Sequence, residues 1–244
     1  VKHLVVIPAY NEEEALPRTV GTLDELPPEY EILIVNDGSR DRTGAVADQL
    51  ARGLKRPLYA VHLPMNSGIG AAVQTGYLFA AQRGEYGYVI QFDGDGQHPA
   101  ESIPALVREC QERGLDLCVG SRFLNPAGGG FRSTFARRLG IRFFAWLISL
   151  LTGSRVTDPT SGFRCAGERA WRSFARRYPE DYPEPESLFW CARNGFKVGE
   201  LGVEMRERQG GITSIRQLRV VYYMVKVSLA ILMDGLRRKE RGRA

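Results

Sequence analysis

Val89-Ile90-Gln91-Phe92-Asp93-Gly94-Asp95-Gly96-Gln97-His98-Pro99 decides how the rest of the chain is read. The apolar run Tyr88, Val89, Ile90 and Phe92 predicts a buried strand. It stops at Asp93-Gly94-Asp95-Gly96-Gln97-His98, so two carboxylates one residue apart stand at the carboxyl end of a core strand. In open α/β sheets ligands bind along that edge. The glycines permit a tight turn and close approach of a ligand to the backbone. Hard oxygen ligands with few neighbours suit Mg²⁺ or Mn²⁺, ions that also bind waters and substrate phosphates. An Asp-Gly turn leaving a strand is the plainer alternative for this stretch alone.

Outward from this stretch, the N-terminal half repeats one unit. Residues 3–7 (HLVVI) predict a strand closed by Pro8, and a helix is expected to start near Asn11. Its apolar positions Ala15, Leu16, Val20 and Leu23 have helical spacing. Glu31 to Val35 predicts a second strand, ending in Asn36-Asp37-Gly38-Ser39, and a helix from Asp41-Arg42-Thr43 to Gly53 follows. Leu58 to Leu63 predicts a third strand, and Asn66-Ser67-Gly68-Ile69-Gly70-Ala71-Ala72 leads into a helix to about Gln82. The small residues at that helix start allow close approach to a ligand or to the sheet. After the strand at 86–92, residues 101–113 predict a helix and 115–120 a strand ending in Ser121-Arg122-Phe123. Strands alternating with helices predict a mostly parallel sheet with helices on its faces.

The second half reads differently. A Gly-rich loop, Asn125 to Gly130, precedes Phe131 to Leu151, whose first half is basic (Arg132, Arg137, Arg138, Arg142) and whose second half is apolar on nearly every side. Thr157 to Arg164 is turn-rich, and helices are expected from about Glu168 to Arg177 and over 187–194. A late strand is expected over 197–203, followed by Met205 to Gly211. Leu218 to Met233 is mostly apolar, and Arg237 to Arg243 carries five basic residues against one acidic. An apolar helix beside a basic cluster fits an interfacial helix near anionic lipid; docking on the core or on a second subunit is the alternative. The chain is expected to divide into a main α/β domain over 1–214 and an apolar helix with a basic tail over 215–244.

Composition bounds the classes. The 244 residues carry a net charge of +5 and suit one large domain with a tail. The basic excess suits anionic partners, but no nucleic-acid-binding signature accompanies it. Cys110, Cys118, Cys165 and Cys191 match no zinc or CxxC spacing and read as reduced thiols. The opening VKHLVVIPAY reads as a strand and not as a signal peptide. No apolar run reaches the ~20 residues that span a bilayer.

The ordered set PAYNEE, VNDGSRDRT, NSGIGAA, DGDGQHP, GSRF, DPTSGFR and RERQGG resembles the inverting family-two glycosyltransferases with the GT-A fold. Within them it is most similar to the dolichyl- and polyprenyl-phosphate sugar synthases, the dolichol-phosphate mannose synthase group. The resemblance runs from about residue 3 to 234. It implies a nucleoside site at Pro8, Ala9, Tyr10, Glu12 and Asp37, with Gly68 beside the donor. It implies that Asp93 lies by the sugar-nucleotide, that Asp95 binds the metal with help from Gln97, and that Arg122 and Arg208 face phosphates. The acceptor phosphate is implied near Arg132, Ser133, Arg137 and Arg138. One departure is that Gly211 is followed by Ile212-Thr213-Ser214-Ile215, where the group often has Ser-Lys.

The implied reaction moves a sugar from a UDP- or GDP-sugar to polyprenyl phosphate, with Mg²⁺ or Mn²⁺. Many relatives carry transmembrane helices. Here the expectation is a peripheral protein on the cytoplasmic membrane face, attached by its own helices or through a small membrane-protein partner, and able to form homo-oligomers. Glu184 and Glu186 occupy the region where hydroxyl-directed relatives keep a catalytic carboxylate. Three roles stay open for them: a base, a partner of Arg208, or favourable charge at a helix start. Asp158 could bind an arginine or cap a turn, the turn being the expected role. His98 could contact the metal or the diphosphate; hydrogen bonds within its loop are the expected role. Two other functions remain as alternatives: a transferase extending a glycan hydroxyl with Glu184 or Glu186 as base, and a non-catalytic nucleotide-sugar binder or membrane assembly module.

Overall fold

The computed structural model describes residues 1–124, 135–205 and 217–236. Its centre is a seven-stranded sheet. Strand β1 (Lys2–Ala9) lies between β2 (Tyr30–Asn36) and β4 (Tyr86–Gln91), parallel to both. Strand β3 (Leu58–His62) is parallel to β2 at one edge. At the other edge β5 (Leu117–Ser121) is parallel to β7 (Val198–Gly202). Between β4 and β5 runs β6 (Arg164–Gly167), antiparallel to both. The order is β3-β2-β1-β4-β6-β5-β7.

Burial on both faces explains the apolar runs that make β1 and β2 legible. His3 to Ala9 and Tyr30 to Asn36 are buried throughout, as parallel strands covered by helices on both sides must be. Side chains alternate between two cores. Leu4, Val6, Leu33 and Val35 face one layer with α3 (Ile69–Arg83), α6 (Glu168–Arg176) and α7 (Pro183–Arg193). Val5, Ile7, Ile32 and Ile34 face the other, with α1 (Leu16–Gly21), α2 (Thr43–Gly53) and α4 (Ile103–Arg113). The four cysteines are free and buried.

Several boundaries differ from expectation. Asn11 does not start a helix: its φ is +54°, and α1 begins only at Leu16. The Asn11 side chain is used elsewhere, its Oδ1 accepting from Arg40 N at 2.9 Å. Pro8 does not close β1 but pairs in register with Val35. The end of the turn-rich Thr157–Arg164 stretch leads into strand β6, which exists because β4 and β5 flank it, with Gln91 opposite Arg164. Helix α7 begins at Pro183, where proline suits the first turn, so Glu184 and Glu186 both lie in that turn. Gly70 is close to a third element. A Cβ there would stand 2.2 Å from the Pro179 carbonyl oxygen, so the helix start is pressed against the segment before α7.

Helix α5 (Phe135–Thr152) and α8 (Gln217–Leu236) pack on each other and on α7. Each is two-faced. Ile141, Phe144, Leu147 and Ile148 of α5 are buried, while Leu139, Trp146 and Leu150, sharing one helical face, are exposed. In α8, Val227 and Ile231 point inward, and Val225, Leu229, Leu232 and Met233 are exposed. Among the described residues, no helix is long and apolar enough to cross a membrane.

Candidate active site

The carboxyl ends of β1, β2 and β4 open into a cleft of about 730 Å³. Its walls include Pro8, Ala9, Tyr10, Glu12, Asp37, Gly68, Asp93 and Asp95. Every residue expected at the donor nucleotide is therefore brought to one place, from four segments of the chain.

The loops at one end are laced by side chain to backbone bonds. Asn11 N donates to Ser39 Oγ at 3.0 Å, and Glu12 N donates to Thr43 Oγ1 at 2.8 Å. Asp37 is buried, and its two oxygens accept from Ser67 N at 2.7 Å and Gly68 N at 2.9 Å. It borders the cleft, and its carboxylate holds the Ser67–Gly68 loop in place.

At the other end stands the Asp93–His98 loop. Gln97 N donates to Asp95 Oδ1 at 3.1 Å, so the expected metal pair is joined through the backbone. His98 is buried and stacks on Phe163, ring centroids 5.0 Å apart. Its Nδ1 accepts from Asp93 N at 3.0 Å, which leaves the proton on Nε2, 3.4 Å from Asp93 Oδ2. Burial, opposed by the Asp95 charge and reinforced by Arg122, pushes the imidazole down to about 4, so it stays neutral. The hydrogen bonds expected of His98 go to Asp93. Gly162 closes the far side. A Cβ there would lie 2.8 Å from Asp93 Oδ2 and 3.0 Å from Gln91 Nε2.

This donor set fits a hard divalent ion. Mg²⁺ and Mn²⁺ are held by one or two carboxylates together with substrate phosphates, not by an all-protein cage. Asp93 and Asp95 supply such carboxylates beside an open cleft. Among the described residues no group of three or more His, Cys, Asp or Glu converges into a self-sufficient cage.

Arg122, at the end of β5, is held by Asp158. Nε donates to Oδ2 at 2.6 Å and Nη2 to Oδ1 at 2.7 Å. Both roles open to Asp158 are seen: it grips Arg122, 36 residues away, and within its own turn its Oδ1 accepts from Thr160 Oγ1 at 3.3 Å. Glu200 on β7 supports the pair by accepting from Thr157 N and Asp158 N, both at 2.9 Å.

Arg164 was missed by sequence reading. It is 1% exposed, donates to the carbonyls of Ser161 (2.6 Å) and Pro159 (2.9 Å) and to Ser187 Oγ (3.0 Å), and has no carboxylate in ion-pair reach among the described residues. The arrangement ties the Pro159–Ser161 turn to α7. An arginine in a turn-rich loop carries no sequence signal of burial.

The two glutamates of α7 part company. Glu184 lies near Asp93 with one amide between them: Gln91 Nε2 is 3.5 Å from Glu184 Oε1 and 3.4 Å from Asp93 Oδ1. Burial raises the Glu184 carboxyl, Arg164 pulls it back, and the Asp93 charge adds to the rise. Glu186 instead borders a separate cavity of about 250 Å³ between α6, α7 and α8, with Phe174, Tyr178, Phe189 and Trp190. Arg138 is exposed on α5. Arg132, Ser133 and Arg208 lie outside the described residues, as does the side chain of Arg137.

Residues 4–177 match the family described as Glycosyl transferase family 2, and the chain belongs to that family. It is 34% identical over 229 residues to polyprenol monophosphomannose synthase of Mycolicibacterium smegmatis, covering 92% of this chain and 85% of that one. It is 31% identical to undecaprenyl-phosphate mannosyltransferase of Micrococcus luteus, covering 96% and 97%. The fold is similar to that of glucosyl-3-phosphoglycerate synthase from Mycobacterium tuberculosis, solved with Mn²⁺, UDP and phosphoglyceric acid. The TM-score is 0.70 at 20% identity, over 98% of this chain and 80% of that chain.

Proposed function

We propose that this glycosyltransferase moves a sugar from a UDP- or GDP-sugar to polyprenyl phosphate, inverting the anomeric carbon, at the cytoplasmic face of a membrane. One observation carries the reading. The cleft joins the expected nucleoside wall to the Asp93–Asp95 carboxylates, and Arg122 stands on the same sheet edge. The relatives named for polyprenol and undecaprenyl phosphate support the acceptor.

Asp95, with Asp93 and Gln97 beside it, would hold Mg²⁺ or Mn²⁺, whose charge stabilises a departing diphosphate. The chain's own residues do the rest. The 8–12 loop and Asp37 with its Ser67–Gly68 loop seat the nucleoside. His98 fixes Asp93 from behind. Arg122, oriented by Asp158, contributes fixed positive charge, and Arg208 is assigned the same task. Arg132, Ser133, Arg137 and Arg138 are assigned the acceptor phosphate, for which guanidinium forks are suited. A phosphate monoester has a second pKa of ~6 and is largely dianionic at neutral pH. It needs positioning, not a general base.

The outward apolar faces of α5 and α8 support docking on a bilayer surface. A second reading, a hydroxyl acceptor with Glu184 or Glu186 as base, draws support from the nearness of Glu184 to the Gln91 amide beside Asp93. The deciding experiment incubates the protein with short-chain polyprenyl phosphate and a panel of sugar nucleotides, with Mn²⁺ or Mg²⁺, and reads products by mass. A lipid-phosphate sugar that disappears on chelation is expected. Transfer only to glycan hydroxyls, or none with any donor, would overturn the proposal.

A further inference from the structure

A phosphate acceptor leaves Glu184 without a proton to abstract, yet the chain maintains this carboxyl at some cost. Gln91 is 1% exposed, and its Oε1 has no hydrogen-bond partner among the described residues. Buried polar atoms left unpaired are rare and call for a reason. Here the amide is committed through its other half, since Nε2 spans Asp93 Oδ1 and Glu184 Oε1. Gly162 lies against Asp93 and the Gln91 amide, where an added Cβ would stand 2.8 Å from Asp93 Oδ2 and 3.0 Å from Gln91 Nε2.

We propose that Glu184 is a specificity residue, whose carboxyl receives a ring hydroxyl of the transferred sugar while Gln91 keeps it in register with Asp93. The inference rests on the reading of the cleft as a nucleotide-sugar site and deepens it. Position supports it. Along the carboxyl edge of the sheet, β2 brings Asp37, then β1 brings Pro8 to Glu12, then β4 brings Asp93 and Asp95. A donor laid along that edge runs nucleoside, diphosphate, sugar. The next group after Asp93 is the Gln91 bridge and Glu184, reached where β6 begins beside the end of β4. Chemistry supports it too. A carboxyl accepts bonds from hydroxyls, and a site built around one hydroxyl discriminates strongly against an analogue that lacks it. The same placement sets Glu184 against the electrostatic work of Arg122, which stands two strands further along, past β6.

The test compares wild type, Glu184→Gln and Glu184→Ala. It measures kcat/KM for the preferred sugar nucleotide and for deoxy analogues lacking one ring hydroxyl each. Calorimetric affinity for the nucleoside diphosphate with Mn²⁺, and thermal unfolding, are measured alongside. In the wild type one deoxy analogue is expected to be at least about 100-fold worse than the preferred donor. In Glu184→Ala the preferred donor falls to within about 5-fold of that analogue, while the analogue itself changes by less than about 3-fold. Nucleoside diphosphate affinity stays the same, and Glu184→Gln lies between. A loss of equal proportion on every donor, in both variants, marks a base or a structural part and overturns the proposal. If Glu184→Ala unfolds, Glu184→Gln decides by the same ratio. If the wild type binds no nucleoside diphosphate, the reading of the cleft itself falls, and this inference with it.

Discussion

Arg122 and Asp158 form a bidentate ion pair, 2.6 and 2.7 Å, with side chains 7% and 0% exposed. A pair so deeply buried cannot lose one member cheaply, because the other charge is left without its partner. Asp158→Ala is expected to destabilise the fold by about 3–5 kcal/mol, read by urea unfolding with an unchanged denaturant slope. Glu200→Gln, which keeps hydrogen bonds to Thr157 and Asp158, should cost clearly less. Equal stability of Asp158→Ala and wild type would show that the pair is not maintained in solution.

Gly162 gives a test of crowding at Asp93. Gly162→Ala places a methyl 2.8 Å from Asp93 Oδ2 and 3.0 Å from Gln91 Nε2, so the carboxylate must shift. A misplacement near 1 Å can cost about 100-fold in turnover, and that is the expected fall in kcat. Gly21→Ala is the control: nothing lies within 4 Å of the added Cβ, and activity should stay unchanged.

Glu184 predicts an unusual pH dependence of stability. Burial first, then the Asp93 charge, raise its carboxyl above the ordinary value of 4.5, while Arg164 opposes them; Tyr178 and the Gln91 amide complete its surroundings. Between the unfolded and the folded pKa the native state holds more protons than the unfolded chain, so stability falls as pH rises through that window. Glu184→Gln lacks this loss. Its melting temperature relative to wild type should climb as pH rises from about 4.5, levelling once wild-type Glu184 is ionised. A pH-independent difference between the two would refute the assignment.

The exposed faces of α5 and α8 give a prediction about lipid. Trp146→Glu combined with Leu229→Glu removes two exposed apolar side chains without touching the buried faces. Burial of such side chains is worth ~1.5–3 kcal/mol each, so binding to anionic vesicles should drop at least about tenfold. Sedimentation with vesicles checks it, and unchanged pelleting would remove these faces from membrane docking.

The parts visible in the sequence were those whose signal is local. Strands β1 and β2 are apolar runs because both their faces are buried, β4 is buried over Val89 to Gln91, and residues beyond all three line the cleft. Strand β6 has only four residues, one of them Arg164, and owes its state to its neighbours on either side. Asn11 has the chemistry of a helix cap, but its amide serves the Ser39–Arg40 loop. Arg122, the partner of Asp158, follows β5, and Ser187, one partner of Arg164, lies on α7; both are distant in sequence, so no spacing rule could reveal those two bonds. Glu184 and Glu186 look equivalent in sequence, and only the direction each takes from α7 separates them.

The central claim is that a dication and a sugar nucleotide share the cleft beside Asp93 and Asp95. Anomalous diffraction from crystals soaked with Mn²⁺ and donor tests it most directly. One strong peak is expected within coordination distance of the Asp95 carboxylate, with diphosphate density reaching it from the Pro8–Glu12 side. A peak absent from that loop, with the nucleotide bound elsewhere, would contradict the account.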